Sequence, residues 1–272
     1  MRRLMIASVV ALVLTACATS PTGRRQLHLF PEDQMDSMGV QAYQQMQEQT
    51  PTLETGPVVR YVECVTRALL EHVPGEYASE ENWEVTVFRS EAVNAFALPG
   101  GKIGVYTGLL EVAETPAQLA AVIGHEIGHV MAEHGNERMS TQMATSVGLT
   151  AAAMLAGDSP ESRAGLALLG LGAQVGVLLP FSRTHESEAD RIGLALMAEA
   201  GFDPREAVAL WGNMAEASGG GGPPEFLSTH PSEQTRINRL QDQMPQALEK
   251  YERARFDGAT PQCTPPENVP TS

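Results

Sequence analysis

Two histidines four residues apart, in Val122-Ile123-Gly124-His125-Glu126-Ile127-Gly128-His129-Val130, constrain this chain more than any other feature. On a helix, positions i and i+4 share a face, so His125 and His129 can bind a single metal ion together. Glu126 points about 100° away around the helix, yet its carboxylate can reach a water beside that ion. Thr115 can cap the helix, and Pro116 fits its first position, where proline loses no intrahelical hydrogen bond. Two buried imidazoles without a metal would need hydrogen-bond partners for their polar nitrogens. The segment therefore reads as a site for one Zn2+ per chain.

Catalytic zinc takes three protein ligands and keeps one position open, so a second element must supply a donor. Ser182-Arg183-Thr184-His185-Glu186-Ser187-Glu188-Ala189-Asp190 offers one. Residue chemistry alone leaves Glu186 and His185 as rivals, since carboxylate and imidazole both bind zinc. Asp190 lies one turn after Glu186 and can hydrogen-bond the outer nitrogen of a zinc-binding histidine. Glu188 faces elsewhere on the same helix.

The rest of the chain supports an α+β fold, mostly helical, with a small antiparallel sheet beside the metal-binding helix. Helices are expected over 32–49, 58–73, 184–200 and 233–251, and a strand over 83–88. Strands over 95–98 and 102–106 form a hairpin around Pro99-Gly100-Gly101. Asp203-Pro204-Arg205-Glu206 combines a cap, a first-position proline and a capping-box acid. Two Ala/Gly/Leu-rich stretches, 143–156 and 162–179, read either as buried or cleft-covering helices or as lipid-contacting ones. With 272 residues, 43% of them hydrophobic, the chain can build one sizeable core. Its net charge of −15 and lack of basic runs exclude general nucleic-acid binding, which needs a concentrated positive surface.

Met1-Arg2-Arg3 and the apolar run 4–14 read as a secretion signal, too short for a membrane span of about 20 residues. Leu14-Thr15-Ala16-Cys17 resembles the lipobox of bacterial lipoprotein precursors, which implies cleavage before Cys17 and a lipid on it. Ala18 resembles the sorting position of outer-membrane lipoproteins. The expected order is a signal peptide over 1–16, a lipidated tether over 17–30, a catalytic domain over 31–256 and a Pro-rich tail over 257–272. The expected location is the outer membrane, lipid-anchored and facing the periplasm. In an oxidising compartment the remaining Cys64 and Cys263 are expected to form a disulfide that pins the tail.

His125-Glu126-Ile127-Gly128-His129, with Phe181-Ser182-Arg183 and Glu186-Ser187-Glu188-Ala189-Asp190-Arg191-Ile192-Gly193, resembles peptidase family M48, over about residues 43–251. The resemblance implies a zincin-type fold, zinc on His125, His129 and Glu186, Glu126 activating water, and Asp190 supporting the site. In Ser228-Thr229-His230-Pro231-Ser232-Glu233-Gln234-Thr235-Arg236-Ile237 it implies that His230 and Arg236 lie at the site. His230 would stabilise an oxyanion or fill the open position at rest. Read from the residues alone, His230 equally pins the loop before Pro231. Asn94-Ala95-Phe96-Ala97-Leu98 matches the family's substrate-binding edge strand, with Asn94 or the backbone at Ala95 touching peptide. Read as a bare hairpin, its Pro and Gly merely set the turn. His28, His72 and His134 lack such partners and are expected to be local or surface residues.

The implied activity is hydrolysis of unfolded or misassembled cell-envelope polypeptides, with envelope assembly machinery as a candidate partner. Prenyl-protein processing, an activity of distant integral-membrane relatives, is disfavoured by the lack of several spanning helices. A chaperone-like lipoprotein adaptor with zinc as a structural pin is the non-enzymatic rival.

Overall fold

The computed structural model describes residues 17–75, 77, 83–156, 182–217, 225–230 and 234–270. The first described elements are two short antiparallel strands, β1 (Cys17–Thr19) and β2 (Arg25–Leu27). This region was expected to be a tether. Instead Ser20 and Gln26 are buried, and the Gln26 amide donates to the carbonyl of Ala132 at 2.6 Å. Buried polar groups with partners that distant in sequence hold the hairpin to the domain, since leaving them unpaired would cost the desolvation they have undergone.

Helix α1 (Glu32–Gln49), strand β3 (Thr52–Leu53) and helix α2 (Pro57–Leu70) follow. On α2, Val58, Val62, Val65 and Leu69 recur every three or four residues and are all buried, so its inner face joins the core. Strands β4 (Glu84–Phe88), β5 (Ala95–Leu98) and β6 (Lys102–Tyr106) complete a four-stranded sheet in the order β3-β4-β6-β5. The sheet is mixed rather than antiparallel. The β5–β6 hairpin pairs as expected, but β6 docks on β4 in parallel and leaves β5 at the edge. Gly100 and Gly101 turn that hairpin with φ of +79° and +72°, values that glycine adopts without steric cost.

After α3 (Leu109–Val112) come α4 (Pro116–Met131) and α5 (His134–Ala156). The Thr115 hydroxyl accepts the Gln118 N–H at 3.1 Å, the cap that the sequence implies. The stretch 143–156 continues α5, whereas 162–179 lies outside the described residues. Among the described residues no helix is long and apolar enough to cross a membrane. Helices α6 (Arg183–Glu199), α7 (Glu206–Ala217), α8 (Glu225–Thr229) and α9 (Gln234–Phe256) finish the domain. Cys64 and Cys263 form a disulfide that ties the tail to α2.

Glu206 differs from the reading of it as a box on its own helix. Its carboxylate accepts from the Thr115 hydroxyl at 3.1 Å and the Gln118 amide at 2.9 Å, so α7 braces the start of α4.

Small residues set how closely α4 and α6 cross. A Cβ on Gly128 would lie 2.8 Å from the Ala189 carbonyl oxygen, and one on Gly193 would lie 2.6 Å from the His125 nitrogen. This contact brings the histidines of α4 within reach of the acids of α6. Replacing Gly193 by Ala must push the helices apart. We expect destabilisation of about 1–3 kcal/mol and weaker zinc binding, measured by denaturant unfolding and chelator competition. Unchanged values would show that the crossing does not depend on this contact.

Candidate metal centre

His125 and His129 on α4, Glu186 on α6 and His230 just after α8 converge in the interior, each at most 4% exposed. The His125 and His129 Nε2 atoms are 3.1 Å apart. They lie 3.4 and 3.5 Å from the Glu186 oxygens. His230 Nδ1 is 3.3 Å from His125 Nε2 and 3.0 Å from Glu186 Oε1. Ligands bound at about 2.0–2.1 Å to a tetrahedral ion stand roughly 3.4 Å from one another, so four donors at this spacing fit zinc. Burial opposes charge on Glu186, but hydrogen bonds with the three histidines hold its carboxyl well below the usual carboxylate range.

Glu186, rather than His185, joins the cluster. The Ser182 hydroxyl caps α6 by accepting the His185 N–H at 3.2 Å, and the His185 ring turns back to the cap and to Glu137 at 2.9 Å. Asp190 lies one turn below Glu186, with Oδ1 3.0 Å from His125 Nδ1. Arg236 on α9 joins the two acids. It donates to Asp190 at 2.8 and 2.6 Å and to Glu186 at 2.9 Å, and its guanidinium stacks 3.7 Å from the Trp211 ring centre. A planar fork suits two carboxylates at once.

Glu126 stays out of the cluster but beside it, its Oε1 3.5 Å from His230 Nε2. Burial pushes its carboxyl above the usual range, while His230, His125 and the Ala97 N–H pull the other way. Ala97 belongs to β5, so the edge strand abuts the helix that carries Glu126. Ala95 is buried, and the Oδ1 of Asn94 is buried without a hydrogen-bond partner among the described residues.

Sequence reasoning missed a second set of groups. His134, expected to be a surface or local residue, is fully buried with its Nδ1 2.8 Å from His129 Nδ1. Its Nε2 donates to Glu188 at 3.1 Å. Burial lowers its pKa to about 4, against the pull of Glu188, so the ring is neutral at pH 7. Glu188 accepts from the Ser20 and Thr22 hydroxyls and from Arg24 Nε at 2.8 Å. Arg24 also holds Glu137 through two bonds at 2.7 and 2.6 Å. The one sequence signal was the run of histidines 125, 129 and 134 in a single stretch. His28, by contrast, faces Glu133 at 3.3 Å and has no part in the cluster.

A family model described as peptidase family M48 matches residues 60–244. The chain is 41% identical over 192 residues to the mitochondrial metalloendopeptidase OMA1 of Schizosaccharomyces pombe, covering 69% of this chain and 54% of that protein. It is 36% identical over 255 residues to the mitochondrial metalloendopeptidase OMA1 of Bos taurus, covering 88% and 48%. It is 28% identical over 227 residues to the beta-barrel assembly-enhancing protease of Escherichia coli, covering 79% and 45%. The chain thus spans about half the length of these relatives. The two with the higher identity are mitochondrial by name, which overturns the expectation of a lipid-anchored outer-membrane protein facing the periplasm. The leader behind that expectation, 1–16, lies outside the described residues, and Cys17 enters the structure as the first residue of β1.

Proposed function

The chain belongs to peptidase family M48, and from that we propose that it is a zinc metalloendopeptidase that cuts unfolded or misassembled polypeptides. The observation that supports this reading best is a set of donors at tetrahedral spacing with a buried, proton-attracting carboxylate beside it. His125, His129 and Glu186 would hold the metal. Zinc in such a site supplies Lewis acidity, making a water more acidic and polarising a peptide carbonyl. Glu126 takes the proton of the attacking water and returns it to the leaving amine. Its raised proton affinity suits both halves of that task. Asp190 fixes the His125 ring, and Arg236 holds Asp190 and Glu186 in place while lending positive charge to the site.

The edge of the sheet supports this substrate class. Strand β5 offers backbone groups beside Glu126, and pairing with them requires an extended peptide. Folded proteins rarely present one. Asn94 Oδ1 is buried with no partner among the described residues, so a substrate N–H admitted by local opening of the strand would satisfy it.

His230 gives the site a resting form. Its Nδ1 stands where a fourth ligand would, so it must leave before water can enter. The fraction of chains with His230 displaced scales the observed rate. With zinc and an unfolded test protein, we expect the His230→Ala variant to cleave about tenfold faster than wild type, and a zinc chelator to stop both. Failure of both proteins to cleave would reject the peptidase reading. Slower cleavage by the variant would reject latency and favour a role for His230 in oxyanion stabilisation.

A further inference from the structure

The two histidines of α4 are supported in different ways. His125 meets a carboxylate directly, through Asp190 at 3.0 Å. His129 meets a second imidazole, His134, at 2.8 Å, and the carboxylate of Glu188 lies one step further out. Proton bookkeeping along this chain has a single consistent solution if His129 Nε2 binds metal. A neutral imidazole carries one proton, so that of His129 must sit on Nδ1 and point at His134. His134 Nδ1 is then the acceptor, its own proton is on Nε2, and Glu188 Oε2 receives it. Glu188 is fixed in turn by the amino-terminal hairpin, through Ser20, Thr22 and Arg24.

We propose that His134 is a positioning residue for His129, and that the hairpin 17–27 completes the metal site by holding Glu188 against His134. The proposal rests on the reading that His129 ligates zinc. It gives the hairpin a role beyond packing. The polar groups it sends inward belong to a hydrogen-bond chain that ends on a metal ligand. Contact is dense at each step: Ser20, His134 and Glu188 are all buried, with His134 wholly so. Arg24 also grips Glu137, which holds the His185 ring at the cap of α6. Loosening the hairpin would therefore disturb the helix that carries Glu186 as well.

Zinc affinity of the full-length chain, measured by chelator competition, tests this. Loss of a partner to a ligating histidine typically costs about 10–100-fold in metal affinity, and we expect that loss for His134→Phe. In His134→Asn the side-chain carbonyl can replace the accepting Nδ1, so affinity should stay within about threefold of wild type. Arg24→Met should weaken binding by a smaller factor than His134→Phe. A purely structural role would lower thermal stability without ranking Asn above Phe in zinc affinity. Long-range 1H–15N NMR of the zinc-loaded wild type should also find the His129 proton on Nδ1, a readout that needs no variant to fold. The proposal is overturned if that proton is on Nε2, if His134→Phe binds zinc as wild type does, or if Asn loses as much as Phe. A His129→Ala protein with wild-type zinc affinity would instead show that the metal reading itself is wrong.

Discussion

Replacing Glu126 with Gln is expected to slow cleavage of an unfolded test protein by roughly 10²–10⁴-fold while one zinc per chain stays bound. The two side chains have nearly the same shape, and Glu126 is buried, so an isosteric change leaves packing undisturbed. Gln cannot take a proton from water or return it to an amine. The residue is also outside the donor set, which separates the loss of rate from any loss of metal. Parallel assays of metal content and cleavage, run also in the His230→Ala background to remove latency, measure both. Activity within tenfold of the parent would place the proton acceptor elsewhere.

The second large effect concerns stability. Arg236→Met removes the cation between Glu186 and Asp190 yet keeps an unbranched stem against Trp211. Two carboxylates would be left buried, each at most 5% exposed. Removing one partner of a buried ion pair costs about 3–5 kcal/mol, or on the order of 10 °C in melting temperature for a domain of this size. The loss should be smaller with zinc bound, because the metal charge offsets part of the missing guanidinium. It should also shrink in acid. Burial works against the charge on Asp190, but Arg236 and His125 hold its carboxyl below the usual range. Stabilisation from a lowered carboxyl is present above its unfolded pKa and fades as pH falls through the folded one. Thermal melts of the metal-free and zinc-loaded proteins across that range check the claim, and a variant as stable as wild type at neutral pH would refute it.

The chemistry of the site was more legible in the sequence than its scaffolding. Helical periodicity puts His125 and His129 on one face, and the same arithmetic pairs Glu186 with Asp190 one turn on. The resemblance to family M48 decided between Glu186 and His185, which ligand chemistry had left level; in the structure Glu186 lies in the donor cluster and His185 is spent on the cap of α6. His134 escaped because five residues on a continuous helix turn it roughly 140° from His129. Only the break at Glu133, with φ of +48°, brings the two rings together. Nor does strand alternation encode a partner, so the parallel β4–β6 pairing was invisible. Arg24 meets Glu188 across 164 residues of sequence, a distance over which no local pattern speaks. The three-residue strands β1 and β2 read as a tether for the same reason.

X-ray absorption at the zinc edge, on wild type and Glu186→Ala, addresses the metal centre most directly. One ion per chain with nitrogen and oxygen ligands near 2.0–2.1 Å, and a marked loss of zinc in the variant, is the result expected. Zinc bound with the same stoichiometry and ligand shell when Glu186 is gone would contradict it.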